Sequence, residues 1–62
     1  DIDEEDIYAL NNKGFALYNL GKFKEALSCY DKVLHIAPQD VTAIHYRELA
    51  VTMNNIRNAE NA

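Results

Sequence analysis

Two breaks divide this chain into three stretches, and each stretch repeats its apolar residues at helical spacing. The breaks are Leu20–Gly21–Lys22 and Ala37–Pro38–Gln39–Asp40. Between them Phe23, Ala26, Leu27, Tyr30, Val33, Leu34 and Ala37 fall at i, i+3, i+4, i+7, i+10, i+11 and i+14, one stripe on one helix face. Lys24, Glu25, Ser28, Asp31, Lys32 and His35 fill the other side. Pro38 ends this helix, because proline disfavours helical geometry in the residue before it. Upstream, a first helix is predicted from about Glu4 to Leu20. Asp3 or Glu4 sits near its start, where the acidic run suits the positive end of the helix dipole, and Gly21 closes it. Downstream, Asp40 is a good N-cap for a third helix over roughly 41–58, and the tail Asn58–Ala62 is expected to fray. The fold class is therefore all-α: an antiparallel helix–turn–helix hairpin plus a third, C-terminal helix.

The chain has 62 residues, a formal net charge of -4 and a hydrophobic fraction of 48%. That supports one small module, residues 1–62. A chain this short buries only roughly 60% of its unfolded surface, so its core is marginal without help. Cys29 is the single cysteine, so no intrachain disulfide forms, and no zinc framework is visible. A lone thiol fits a reducing compartment, and the expected location is cytoplasmic. The chain opens at Asp1 without an initiator methionine and is expected to be a fragment or processed piece. Its acidic balance and scattered basic residues argue against nucleic acid as a partner. No apolar run is long enough to span a bilayer, and the opening "DIDEED" is the reverse of a basic targeting segment, so no membrane partner is expected.

The apolar pattern of the first helix is unusually broad. Ile7, Leu10, Gly14 and Leu17 form one stripe, Ala9, Ala16 and Leu20 a second, and Tyr8 and Phe15 a third. One neighbouring helix cannot cover all of them. Gly14 is also odd in a helix interior, where glycine costs on the order of 1 kcal/mol relative to alanine.

Read as spacings, the chain runs Leu10, two residues, Lys13–Gly14, two residues, Leu17, then Ala26, three residues, Tyr30, then Pro38, with Gly21 and Phe23 in between. This series closely resembles the tetratricopeptide repeat, a helix–turn–helix unit with a period of 34 residues, and the resemblance covers Ile7 to Asp40. It implies close approach of the two helices where Gly14 and Ala26 lack bulk, with Leu10, Leu17, Phe23, Tyr30 and Leu34 filling the space around them. Leu10 stands where tryptophan is commonest in the family, Lys13 where leucine is usual, and Leu17 where tyrosine is usual. The Lys13 stem is expected to pack while its ammonium reaches solvent. One period later, Ile44 follows Leu10, but Arg47 and Glu48 replace Lys13 and Gly14. The third helix thus looks like the polar-faced helix that caps such arrays, with Ile44 and Val51 as traces of the repeat.

Chemistry-bearing constellations are sparse. Cys29 and His35 are six residues apart, on different sides of the second helix, and His45 lies beyond Pro38, so no metal site is expected. The carboxylates Asp1, Asp3, Glu4, Glu5 and Asp6 lack the spaced glycine and glutamate of a calcium loop; a solvated, dipole-stabilising helix start is the plain reading, with help in holding a basic peptide as a minor one. Ser28 has no catalytic motif around it. No catalytic residue and no cofactor is expected.

What remains is a surface. The resemblance implies a concave groove lined by the first helices of successive repeats, here Tyr8, Asn11, Asn12, Phe15, Tyr18 and Asn19, then His45, Leu49 and Met53. Some family members grip a C-terminal carboxylate there with Lys, Asn and Arg. Phe15 and Leu49 occupy positions where that clamp uses asparagine, and Asn11 stands where it uses lysine. An aromatic, mildly polar groove for an apolar or amphipathic segment fits better. Two functions follow as expectations: a non-catalytic protein-interaction module that holds a peptide segment or partner domain, or a self-association module. In the second, Tyr8, Phe15 and Tyr18 pack against a neighbouring repeat or another copy, and a homodimer or higher oligomer covers the apolar first-helix face.

Overall fold

Gly21 is where the first helix stops. The Lys22 amide donates to the Leu17 carbonyl at 2.9 Å and the Gly21 amide to the Tyr18 carbonyl at 3.0 Å, the paired closure that requires a left-handed residue just past the helix. Gly21 supplies it with a φ of 79°, open to glycine without steric cost. In the computed structural model, which describes the backbone of residues 4–61 and the side chains of residues 5–60, the chain forms α1 (Glu4–Asn19), α2 (Phe23–Ile36) and α3 (Val41–Asn61). The expectations placed on Asp1 and Asp3 lie outside the described residues. Leu20 belongs to the turn, one residue short of the predicted helix end.

Asp40 starts the third helix as predicted. Its carboxylate accepts a hydrogen bond from the Ala43 amide at 3.0 Å, and its carbonyl accepts the first helical bond, from Ile44 at 3.0 Å. The far end runs past the predicted bound: α3 continues to Asn61 where the sequence-based reading ends it near Asn58. No glycine or proline stops it there, and Ala59 and Glu60 are good helix formers. The last turns are also anchored, because the Arg57 guanidinium donates to the Gly21 carbonyl and lies over the Phe23 ring, 5.5 Å from its centroid.

The middle helix packs against both of the others, while α1 and α3 touch far less. The body is elongated, 43 × 19 × 13 Å. Ala26, Tyr30 and Val33 of α2 and Ala43 of α3 are fully buried, and Ile7, Leu10, Leu17, Tyr18, Leu34 and Tyr46 pack around them. Full burial of a side chain such as Val33 contributes about 1.5–3 kcal/mol relative to exposure. The stripe read on α2 is thus the core-facing one. Of the three apolar stripes on α1, the one with Ile7, Leu10, Gly14 and Leu17 faces the core, whereas Ala9, Ala16, Leu20, Tyr8 and Phe15 are exposed.

The role of Gly14 differs in one respect from the sequence-based picture. Gly14 is buried, but the occupant of its missing side-chain space is the Tyr30 ring, one turn beyond Ala26. A Cβ built at position 14 would lie 2.7 Å from Tyr30 Cζ and 2.9 Å from Cε1, closer than real carbon atoms pack. Tyr30 has little room to retreat: it is fully buried and stacks on Tyr46, with ring centroids 6.1 Å apart. Glycine at 14 is therefore needed for an aromatic ring as well as for neighbouring backbones. The Tyr30 hydroxyl has no protein hydrogen-bond partner. Burial first, then the neighbouring Tyr46, Cys29 and Tyr18, push its pKa up to about 12.

Gly14→Ala should lower stability by about 1 kcal/mol, because overpacking costs of about 1–3 kcal/mol outweigh a helix-propensity gain of about 1 kcal/mol. Thermal melting is expected to show a midpoint about 4–8 °C lower. In a Tyr30→Leu background the same substitution should become neutral or stabilising; an unchanged penalty there would contradict the assignment. Tyr30→Phe should leave the melting temperature unchanged or higher, since it removes a buried, unpartnered hydroxyl. Because the folded-state pKa lies above the ordinary 10.0, the Tyr30 contribution is complete below pH about 10 and is lost as pH rises toward about 12. Urea titrations across that window should show a loss of stability that Tyr30→Phe reduces.

Candidate functional site

Tyr46 organises the seam between α1 and α3. Its ring receives Phe15 edge-on at 5.3 Å, Tyr18 at 6.0 Å and His45 at 5.1 Å, all at steep interplanar angles, besides the stacked Tyr30. Tyr18 also meets Phe23 edge-on at 5.5 Å. Such pairs contribute about 0.5–1.5 kcal/mol each beyond the area they bury. Three helices are thus joined through one aromatic network, with Phe15 and His45 at its exposed edge.

Toward the N-terminal end of α1, the seam opens into a hollow of about 420 Å³ lined by Ile7, Tyr8, Asn11, Asp40 and Thr42. Asp40 Oδ2 accepts hydrogen bonds from the Ala43 amide at 3.0 Å and from Asn11 Nδ2 at 3.1 Å. One carboxylate therefore caps α3 and ties it to α1. That bond turns Asn11 Oδ1 the other way, where it is buried without a protein partner. Tyr8, at 70% exposure, stands at the rim.

The predicted groove residues separate into two sets. Tyr8, Asn12, Phe15, Asn19, His45 and Met53 are exposed. Asn11, Tyr18 and Leu49 are half-buried, and Tyr18 packs against Phe23 and Tyr46 and so belongs largely to the helix seam. The position of Tyr46 as the hub of the network was not legible in the sequence. Periodicity places a residue on a helix face and says nothing about which rings it meets across a tertiary interface. Of the residues weighed for metal binding, Cys29 is buried and His35 exposed. Among the described residues no group of three or more His, Cys, Asp or Glu is placed to hold a metal ion, and no helix is long and apolar enough to cross a membrane.

A roomier hollow, about 590 Å³, lies elsewhere, on the outer side of the hairpin among Leu10, Leu27, Ile36, Lys24, Lys32 and His35. It adjoins Leu10, the position where the related repeats most often carry tryptophan. A smaller side chain there leaves an open trough between α1 and α2. Leu10, Leu27 and Ile36 make it apolar in part, and Lys24, Ser28, Asp31, Lys32 and His35 make up the rest of its lining; it has none of the tyrosine and phenylalanine rings of the α1–α3 face. Size alone does not make it the better site. On this argument Leu10→Trp should cover part of Leu27 and Ile36 and raise the melting temperature by a few degrees, while a drop of similar size would show that the trough has no room for the indole.

The model of the tetratricopeptide repeat family matches residues 7–40, the span from Ile7 to Asp40 that also carries the glycine, alanine and proline spacing. Comparisons with curated proteins and with solved structures return no match. The matched span contains α1, its Gly21 closure, α2 and the Asp40 cap, and α3 packs on it as the following helix. With more than half of its length matched, the chain belongs to the tetratricopeptide repeat family.

Proposed function

We propose that this chain is a non-catalytic interaction module that holds an extended partner segment along the face shared by α1 and α3. Tetratricopeptide repeats are protein-interaction units; the face and the kind of occupant are our reading. The observation that supports it most is the exposure of Tyr8 and Phe15, 70% and 44%, with His45 and Met53 exposed on α3. Two aromatic side chains left in water next to a packed aromatic network offer large, conformationally stiff contact area, the type that dominates binding energy in interfaces. Phe15 is also held in place by Tyr46, so little ordering is required when a partner arrives.

Self-association is the second reading. Ala9, Ala16 and the 69%-exposed Leu20 run along another side of α1, and a module this small gains from covering apolar surface. Sedimentation of the chain from low to high micromolar concentration distinguishes the two: a constant monomer mass removes the second reading.

For the first reading, peptides selected from a random display library against the whole chain provide a probe. Tyr8→Ala and Phe15→Ala are expected to weaken the selected peptides by about 1 kcal/mol or more each, roughly fivefold in Kd. Lys32→Ala, on the outer face of α2, should leave the affinity unchanged. Equal responses from Tyr8 and Lys32 variants would reject the α1–α3 face. Tyr18→Ala is a poor test, because the aromatic packing of Tyr18 makes a loss of folding the expected result.

A further inference from the structure

The hollow at the N-terminal end of α1 has a chemistry that the rest of the face lacks. Its lining includes the Asp40 carboxylate, a hydrogen-bond acceptor, and the Asn11 side chain that binds it. Both Asp40 donors, Asn11 Nδ2 and the Ala43 amide, converge on Oδ2 alone. Its walls are the aliphatic Ile7 side chain, Thr42 and the exposed Tyr8 ring. None of the six Lys and Arg residues lines it. Arg47 is engaged by Asp31, with Nε 2.6 Å from Oδ1, and Arg57 by the Gly21 carbonyl at the opposite end of α1. Glu5 and Asp6, just N-terminal to Ile7, are exposed, and the chain as a whole carries a formal charge of -4.

We infer that this hollow is a pocket for a cationic side chain, arginine or lysine, of the partner segment, and that the interaction face selects basic over acidic segments. The inference rests on the proposed α1–α3 binding face and specifies the chemistry of its occupant. A guanidinium or ammonium supplies only donors, which is what a carboxylate binds. The long aliphatic stem of such a residue packs on Ile7 and the Thr42 methyl, and the exposed Tyr8 ring at the rim is within the same lining. A carboxylate in the same place would meet the Asp40 carboxylate, an arrangement that like charge and desolvation both disfavour. The hollow thus contributes discrimination between partners as well as contact.

The test uses the whole chain and two synthetic nine-residue peptides, one alternating arginine with leucine and one alternating glutamate with leucine. Binding is followed by fluorescence anisotropy and by the NMR signals of the Asn11 side-chain amide. The arginine peptide is expected to bind at least tenfold more tightly than the glutamate peptide, to shift the Asn11 amide, and to weaken on going from 50 to 300 mM salt. Asp40→Asn keeps a good helix cap and should melt near the native temperature, yet it should weaken the arginine peptide at least fivefold without weakening the glutamate peptide. Equal affinity for the two peptides, or an arginine peptide indifferent to Asp40→Asn in a folded variant, overturns the cationic pocket. If the glutamate peptide binds as well and depends on Phe15, the α1–α3 face stands and the pocket assignment fails. If neither peptide binds and random-library selection against the same face also returns nothing, both fall together.

Discussion

The Tyr30 ring occupies the space that a side chain at position 14 would take, and the arrangement of all three helices depends on that contact. A 2.7 Å approach between a Cβ at 14 and Tyr30 Cζ leaves no place for even a methyl group. With the ring seated there, its other surroundings are set as well: it stacks on Tyr46 of α3 and belongs to the same buried cluster as Ala26, Val33 and Ala43. One side chain from α2 therefore joins α1 to α3. A core of this size has few such contacts, so each accounts for a large share of a small stability margin.

The connections reinforce this packing at both ends of the body. At one end the Gly21 closure sets where α1 stops, and Arg57 of α3 reaches back to the Gly21 carbonyl and the Phe23 ring. At the other, Asp40 caps α3 and holds Asn11 of α1. The α1–α3 seam is thus fastened at its two ends and bridged in the middle by the rings of Phe15, Tyr18 and Tyr46. A surface built this way presents stiff side chains on a supported backbone. That is the property a binding face needs, since less freedom is lost when a partner docks.

Much of this was legible in the sequence because its signals are local. The α2 stripe, the glycine stop at 21, the proline at 38 and the cap at Asp40 are each determined by residues within a turn or two. The repeat spacing added the relation between Gly14, Ala26 and Pro38. What the sequence left open is nonlocal. The partner of Gly14 proved to be a ring, because the closest group depends on how α2 is rotated against α1. The contact of Arg57 with a carbonyl far away in the chain is of the same kind. Tyr18 turned into the seam because Phe23 and Tyr46 surround it, whereas Tyr8, on the same helix, stayed in solvent. The hollow between Asn11 and Asp40 was likewise invisible, since Asp40 was legible only as a cap and Asn11 only as a groove position, and only the fold brings their side chains together.

The account is tested most directly by proton NMR on the folded chain, through nuclear Overhauser contacts between the Gly14 Hα protons and the Tyr30 ring. The packing described here requires strong cross-peaks from Gly14 Hα to the Tyr30 Hε protons, accompanied by contacts from the same ring to Tyr46. A well-folded chain in which the Tyr30 ring shows contacts to Tyr46 but none to Gly14 would contradict the account, and the shared α1–α3 face derived from it would lose its physical basis.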